Sequence, residues 1–131
     1  MIEGVIQMGN RAVITTEKKD LGVYLHWNGG RDSVETFLKV CKHYKFRTPE
    51  SDCYGWARLC QVITNFMGTD GLSVGIDRYE NLDTNNGDNG TYIIKNWDIV
   101  GREYHRGKEQ MGFDVEETAK ELIEKMDKMN N

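Results

Sequence analysis

Between residues 11 and 17, Ala12, Ile14 and Thr16 alternate with Val13 and Thr15, the two-residue period of a strand. Lys18-Lys19-Asp20 is a polar turn and residues 21–27 return as a second strand, which predicts an antiparallel hairpin. The period then lengthens. Val34, Phe37, Leu38 and Cys41 recur at i, i+3, i+4 and i+7 with Lys39 and Lys42 outward, predicting a helix over residues 32–45. Asp32 or Ser33 supplies its N-cap, and Glu35 closes a capping box on Asp32. Beyond a loop at 47–52 with the chain's one proline, Pro49, a second helix runs from Cys53 to Met67. Trp56, Leu59, Cys60, Ile63 and Phe66 form its buried stripe, and Gly68 stops it. Residues 72–77 read as a strand and 78–90 as a polar loop. Thr91–Lys95 and 97–100 are strand-like again and complete a hairpin with 72–77. After a linker at 101–112, Asp114 opens the last helix, with Glu117 closing a capping box; its apolar face is Val115, Ala119, Leu122, Ile123 and Met126. The order reads ββααββα: an α+β fold, an antiparallel sheet built from two hairpins and covered by three helices.

A chain of 131 residues is one domain, 1–131, with a peripheral segment at 1–8 and a C-terminal helix at 114–129. At 38% hydrophobic and 29% charged it reads as a soluble globular chain, and no apolar run reaches the roughly 20 residues of a membrane helix. Met1-Ile2-Glu3-Gly4 lacks the basic start and apolar centre of a signal peptide, so a cytoplasmic location is expected. Cys41, Cys53 and Cys60 are an odd set without a CxxC pair, which fits neither a disulfide framework nor a zinc site. Residues 109–131 hold seven acidic against three basic residues, which is the whole of the net charge of −4. A balanced body with an acidic tail is a poor surface for a nucleic-acid polymer, so any phosphate recognition must be local.

Local recognition has one obvious place. Trp27-Asn28-Gly29-Gly30-Arg31 joins a strand to a helix start, and paired glycines allow positive φ and close backbone approach to a ligand. A helix mouth adds unpaired N–H groups and the positive dipole end, and Arg31 adds a planar fork for phosphate or carboxylate. The plain alternative is a strand-to-helix turn that needs glycine and is capped by Asp32. Trp27, Tyr79, Tyr92 and Tyr104 lie in or beside loops as stacking surfaces; Arg31, Arg102 and Arg106 flank the same segments, and Asn28 and Asn89 offer amides. The acidic 78–90 loop does not fit an EF-hand, because twelve-residue spacing from Asp83 reaches Ile94 rather than a glutamate, and Asn89-Gly90 also reads as a hairpin turn. Arg58 sits half a turn from Cys60 and reads as a solvated arginine unless a partner subunit or ligand lies on that face. No catalytic motif is recognisable, and neither a cofactor nor a metal is expected.

The segments VYLHWNGGRDSVETFL, YGWARLCQVITNF, SVGIDRY and NGTYIIKNWDIVGR, with the Arg106 region, resemble the first described family of phage-encoded Thoeris anti-defence proteins over residues 8–124. The resemblance implies a sponge in the cytoplasm of the infected bacterium. It would sequester, without degrading, a cyclic ADP-ribose isomer made as a signal by TIR-domain defence enzymes. It further implies a homodimer with pockets between subunits, and for some members hexamers with separate sites for cyclic oligonucleotides. Tyr79 and Asn89 match the family's pocket aromatic and the asparagine ten residues on. Arg31 matches the arginine after the double glycine, and Arg106 a later pocket arginine, with Arg102 close by. Tyrosine at 79 departs from the more usual phenylalanine. The expected ligand set is Trp27, Asn28, Gly29, Gly30, Arg31, Tyr79, Asn89 and Arg106. Two other readings stay open: a small nucleotide hydrolase or lyase using His26 or His105 as base, and a protein inhibitor docking through its acidic last helix.

Overall fold

The computed structural model describes residues 9–68 and 73–129. The segment at 1–8 and the expected strand start at residue 72 lie outside the described residues. The elements are β1 (Ala12–Thr16), β2 (Leu21–Leu25), α1 (Arg31–His43), α2 (Cys53–Met67), β3 (Val74–Arg78), β4 (Thr91–Lys95), β5 (Asp98–Glu103) and α3 (Glu116–Met129). The α+β class and the three helices agree with the sequence reading, as does the β1–β2 hairpin, paired Ala12 to Leu25 through Thr15 to Gly22. The sheet itself is mixed rather than antiparallel throughout. Its order is β3-β2-β1-β4-β5, with β1 and β4 parallel. The hairpin expected between residues 72–77 and 91–100 does not form: β3 lies antiparallel on β2, while β4 turns at Asn96 and Trp97 into its own partner, β5.

The reason is directional. β3 and β4 run the same way, so no tight turn can join them; a parallel connection needs a crossover of about a dozen residues. Residues 79–90 make that crossover, starting with a single 3-10 turn at Tyr79–Asn81, and Leu82 packs down on Gly22. The helices cover the opposite face. Ala12 and Ile14 point into the helical core with Val23, Leu25, Tyr92 and Ile94, while Val13 and Thr15, also fully buried, alternate onto the other face of the sheet. α1 contributes Val34, Phe37, Leu38, Val40 and Cys41, α2 Trp56, Leu59, Val62 and Ile63, and α3 Ala119, Leu122 and Met126.

Helix ends are set by local chemistry. Asp52 caps α2 by accepting the Tyr54 N–H at 3.0 Å, and Gly68, at φ 62°, ends it. Asp114 accepts the Glu116 N–H at 2.8 Å, so α3 begins at Glu116, two residues after the expected opening. The acidic α3 docks on α1 through polar contacts: the Tyr44 hydroxyl donates to Asp127 at 2.6 Å with the Ile123 carbonyl 3.2 Å away, and Lys39 pairs with Glu116 at 2.7 Å. Burial, reinforced by Asp127, pushes the Tyr44 hydroxyl up to about 12, so it stays a donor across the physiological range. Cys41 is buried, Cys60 half-buried and Cys53 exposed; burial raises the thiols of Cys41 and Cys60. No helix among the described residues is long and apolar enough to cross a membrane.

Candidate functional site

The mouth of α1 differs from its sequence reading in what the glycines do. Neither Gly29 nor Gly30 takes a positive φ; Asn28 does, at 59°. Gly30 is the N-cap in extended conformation, φ −67° and ψ 157°, with no side-chain cap. The helix therefore starts at Arg31, ahead of the expected Asp32 or Ser33 cap, and the Asp32–Glu35 capping box is not formed. Asp32 instead accepts the Ser33 N–H at 2.8 Å, and Glu35 accepts from Arg31 Nε at 2.5 Å. Gly29 is small for reasons of space. A Cβ there would stand 2.5 Å from the Asn10 carbonyl oxygen and 2.7 Å from Ala12 Cβ. Its close approach is to the start of β1, and the Gly29 N–H donates to that Asn10 carbonyl at 2.8 Å.

A second arginine completes the mouth. Tyr92 and Arg102 are register partners on β4 and β5, so they share the helical face of the sheet. The Arg102 guanidinium lies 3.8 Å from the centre of the Tyr92 ring, and the Tyr92 hydroxyl donates to the Gly29 carbonyl at 2.7 Å. Arg102 Nη2 donates to the Asn89 carbonyl at 2.6 Å, Nη1 donates to Glu109, and Nε is buried without a hydrogen-bond partner among the described residues. Arg31 Nη1 donates to the same Glu109 Oε1 at 2.6 Å. His105 Nε2 stands 3.7 Å from the other Glu109 oxygen. The neighbouring Gln110 side chain accepts the Asp32 N–H at 3.1 Å, so the linker covers both the guanidinium groups and a first-turn amide of the helix mouth.

Asn89 fastens the crossover to this corner. Its side-chain amide donates to Asn10 Oδ1 at 2.6 Å and to the Arg11 carbonyl at 3.0 Å. Asn89-Gly90 is not a hairpin turn, since β3 and β4 do not pair. Gly90 takes φ 65° where a Cβ would stand 2.3 Å from the Glu103 carbonyl oxygen. The amide-rich loop is internally satisfied: buried Asn86 accepts the N–H groups of Asp88 and Gly90, and Asp88 pairs with Arg11 Nε at 2.8 Å.

Two carboxylates here fix an acid response. Burial works to raise the Glu109 carboxyl, but the bonds from Arg102 and Arg31 outweigh it and hold it below its ordinary value; Arg11 does the same for Asp88 against its burial. A depressed folded-state pKa contributes stability that is present above the unfolded value, about 3.9–4.3, and is lost as pH falls through the folded one. Glu109→Gln combined with Asp88→Asn is expected to flatten the acid limb of stability against pH, followed by urea unfolding. An unchanged slope below about pH 4 would remove both carboxylates from this role.

Of the expected ligand set, Gly29, Gly30, Arg31 and Asn89 gather around Glu109 and Arg102. Trp27 is 39% exposed and stands edge-on to the His26 ring at 5.3 Å. Arg106 is exposed on the linker; the arginine that joins Arg31 on Glu109 is Arg102. Tyr79 lies over the opposite face of the sheet, where Lys19 Nζ stands 5.7 Å from its ring centre and bonds Glu103 at 2.7 Å. Its hydroxyl is raised by burial, with Glu103 and Tyr104 adding to the effect over Lys19. Within one chain Tyr79 and Arg31 therefore do not meet. Arg58, expected solvated, is half-buried, and its Nε has no hydrogen-bond partner among the described residues. An open groove of about 330 Å³ runs beside Arg31, lined also by Glu35, Lys39, Lys42 and Asp98. Among the described residues no three His, Cys, Asp or Glu side chains gather as a metal-binding group. Asn10, Glu109 and Gln110 were not anticipated. The Tyr92–Arg102 pairing is implicit in the β4–β5 alternation, whereas the linker has no periodicity that would place Glu109. Comparison with family models, with curated proteins and with solved structures gives no match.

Proposed function

We propose that this chain is a non-enzymatic sponge for a cyclic ADP-ribose isomer, the signal of TIR-domain Thoeris immunity, acting for a phage in the cytoplasm of its bacterial host. The observation that carries the reading is the convergence of Arg31 and Arg102 on a single carboxylate at the mouth of α1. A guanidinium fork that donates to a carboxylate donates to a phosphate oxygen in the same geometry, and two forks suit a diphosphate. The groove beside Arg31 is at the small end of ligand pockets, which run from about 300 to 1,000 Å³. A dinucleotide-sized cargo needs more enclosure than that. A two-fold dimer supplies it by bringing Tyr79 of a second copy, with its stacking ring, toward Arg31 and Asn89 of the first. Arg106 and Trp27, both exposed, are then available to close the pocket, and assembly to a hexamer with a cyclic-oligonucleotide site at Arg58 extends the same reading.

The test is retention. Protein incubated with the cyclic ADP-ribose isomer and then heat-denatured is expected to return the ligand intact, at one equivalent per site. Saturation at 100 times Kd should stabilise the fold by about 2.7 kcal/mol, and Arg31→Ala or Tyr79→Ala should remove most of that melting shift. Linear ADP-ribose accumulating beyond one equivalent would overturn the sponge and assign turnover to His26 or His105.

A further inference from the structure

We propose that Glu109 is a built-in competitor: its carboxylate occupies the Arg31–Arg102 fork as a stand-in for a phosphate, and anionic cargo binds by displacing it. The inference rests on the reading that the α1 mouth takes a phosphate-bearing ligand, and it adds how that site is gated. The two sides of the contact are built differently. Arg31 is held in the first turn of α1 and Arg102 in β5, where it is clamped by the Tyr92 ring and the Asn89 carbonyl. Glu109 belongs to a stretch with no helix or strand, between Gly107 at φ 77° and Gly112 at φ 74°, and among the described residues no atom beyond the chain neighbours lies within 4 Å of a Cβ built at either glycine. Lys108, Gln110 and Met111 are exposed, Met111 at 85%. The segment is thus tied to the body through Glu109 on the arginines and Gln110 on the Asp32 amide, two acceptors standing where an anion would stand. Moving it disturbs no apolar packing, since its one large hydrophobe already faces solvent.

Exchange has a favourable direction. A diphosphate brings more charge and more acceptor oxygens than one carboxylate, and the unpartnered Arg102 Nε is a donor Glu109 leaves unused. Every cargo must nevertheless outcompete an intramolecular carboxylate, so weak monoanions are turned away. Affinity is set by the difference between two occupants of one fork.

The experiment compares wild type with Glu109→Gln by calorimetry at fixed ionic strength, using inorganic pyrophosphate and the cyclic ADP-ribose isomer separately. Removing the charge while keeping the shape is expected to tighten binding of both by about ten-fold. Unchanged or weaker binding by the variant overturns the competitor. Tighter pyrophosphate binding without cyclic nucleotide binding keeps the competitor and sinks the proposed cargo; equal cyclic nucleotide binding in both proteins does the reverse. Failure of pyrophosphate to bind either protein overturns the fork as an anion site. Should Glu109→Gln fold poorly, limited trypsin digestion of the wild-type chain decides: saturating pyrophosphate should speed cleavage after the exposed Lys108, and unchanged or slower cleavage overturns displacement.

Discussion

Arg102→Ala is expected to weaken cargo binding by about 100-fold, the equivalent of two charge-assisted hydrogen bonds, and to cost the free protein about 1–3 kcal/mol. Both effects come from one side chain with three duties. It covers the Tyr92 ring, it satisfies the Asn89 carbonyl where the crossover joins β4, and it shares Glu109 with Arg31. Truncation strands a half-buried carbonyl and leaves Glu109 with Arg31 and a more distant His105. Arg102→Lys keeps the charge but not the planar fork, so it should recover less than a tenth of the lost affinity. Arg106 provides the contrast. It is exposed, and Arg106→Ala should leave stability within about 0.5 kcal/mol of wild type. Calorimetry and urea unfolding on the three variants decide it. If Arg106→Ala loses more affinity than Arg102→Ala, the Arg31–Arg102 fork is not the phosphate site.

What could be read from the chain, and what could not, divides along physical lines. Helices announce themselves locally: Val34, Phe37, Leu38 and Cys41 at helical spacing found α1, and Trp56 through Ile63 found α2, because a helix closes its hydrogen bonds within itself. Strand pairing carries no such internal signature. The alternation of Val74–Arg78 identifies a strand but not its neighbour, and β3 chose β2 over β4 for reasons of chain direction that no window of residues contains. One clue was present. Ala12-Val13-Ile14 is apolar on both faces, the mark of a central strand covered on each side, and β1 is that strand. The site shows the same division. Gly29-Gly30-Arg31 marked a helix mouth correctly, but the glycine was required by Asn10, nineteen residues upstream, rather than by positive φ. Glu109 meets Arg31 across 78 positions of chain, from a linker whose polar composition resembles any loop. Tyr79 and Asn89, ten apart in sequence, flank the crossover at opposite ends, so their spacing records the span of the sheet and not a shared surface.

Gly29→Ala tests whether that mouth depends on backbone contact, and it is expected to destabilise the fold by about 3 kcal/mol or more. The new methyl would stand 2.5 Å from the Asn10 carbonyl oxygen and 2.9 Å from the Arg11 carbonyl carbon, both backbone atoms at the start of the central strand. Neither can yield alone. Asn10 also donates to the His26 carbonyl at 2.8 Å, Arg11 accepts two bonds from Asn89, and β1 is held on both edges by β2 and β4. The start of α1 must therefore lift away, breaking the Gly29 N–H bond to Asn10 and leaving the buried Tyr92 hydroxyl without its acceptor, a loss of about 1–3 kcal/mol by itself. Arg31 moves with the helix, so cargo affinity should fall along with stability. Gly30→Ala is the control. Its φ of −67° suits alanine, and the nearest atoms, 3.0 Å away on Asp32 and 3.3 Å away on Gln110, are the ends of side chains that can turn aside. The expected change there is within about 1 kcal/mol. Denaturant unfolding of the two variants side by side separates contact from conformation: equal losses would mean that the pair of glycines serves chain flexibility, while a loss confined to Gly29 fixes the mouth as a place where strand and helix backbones touch.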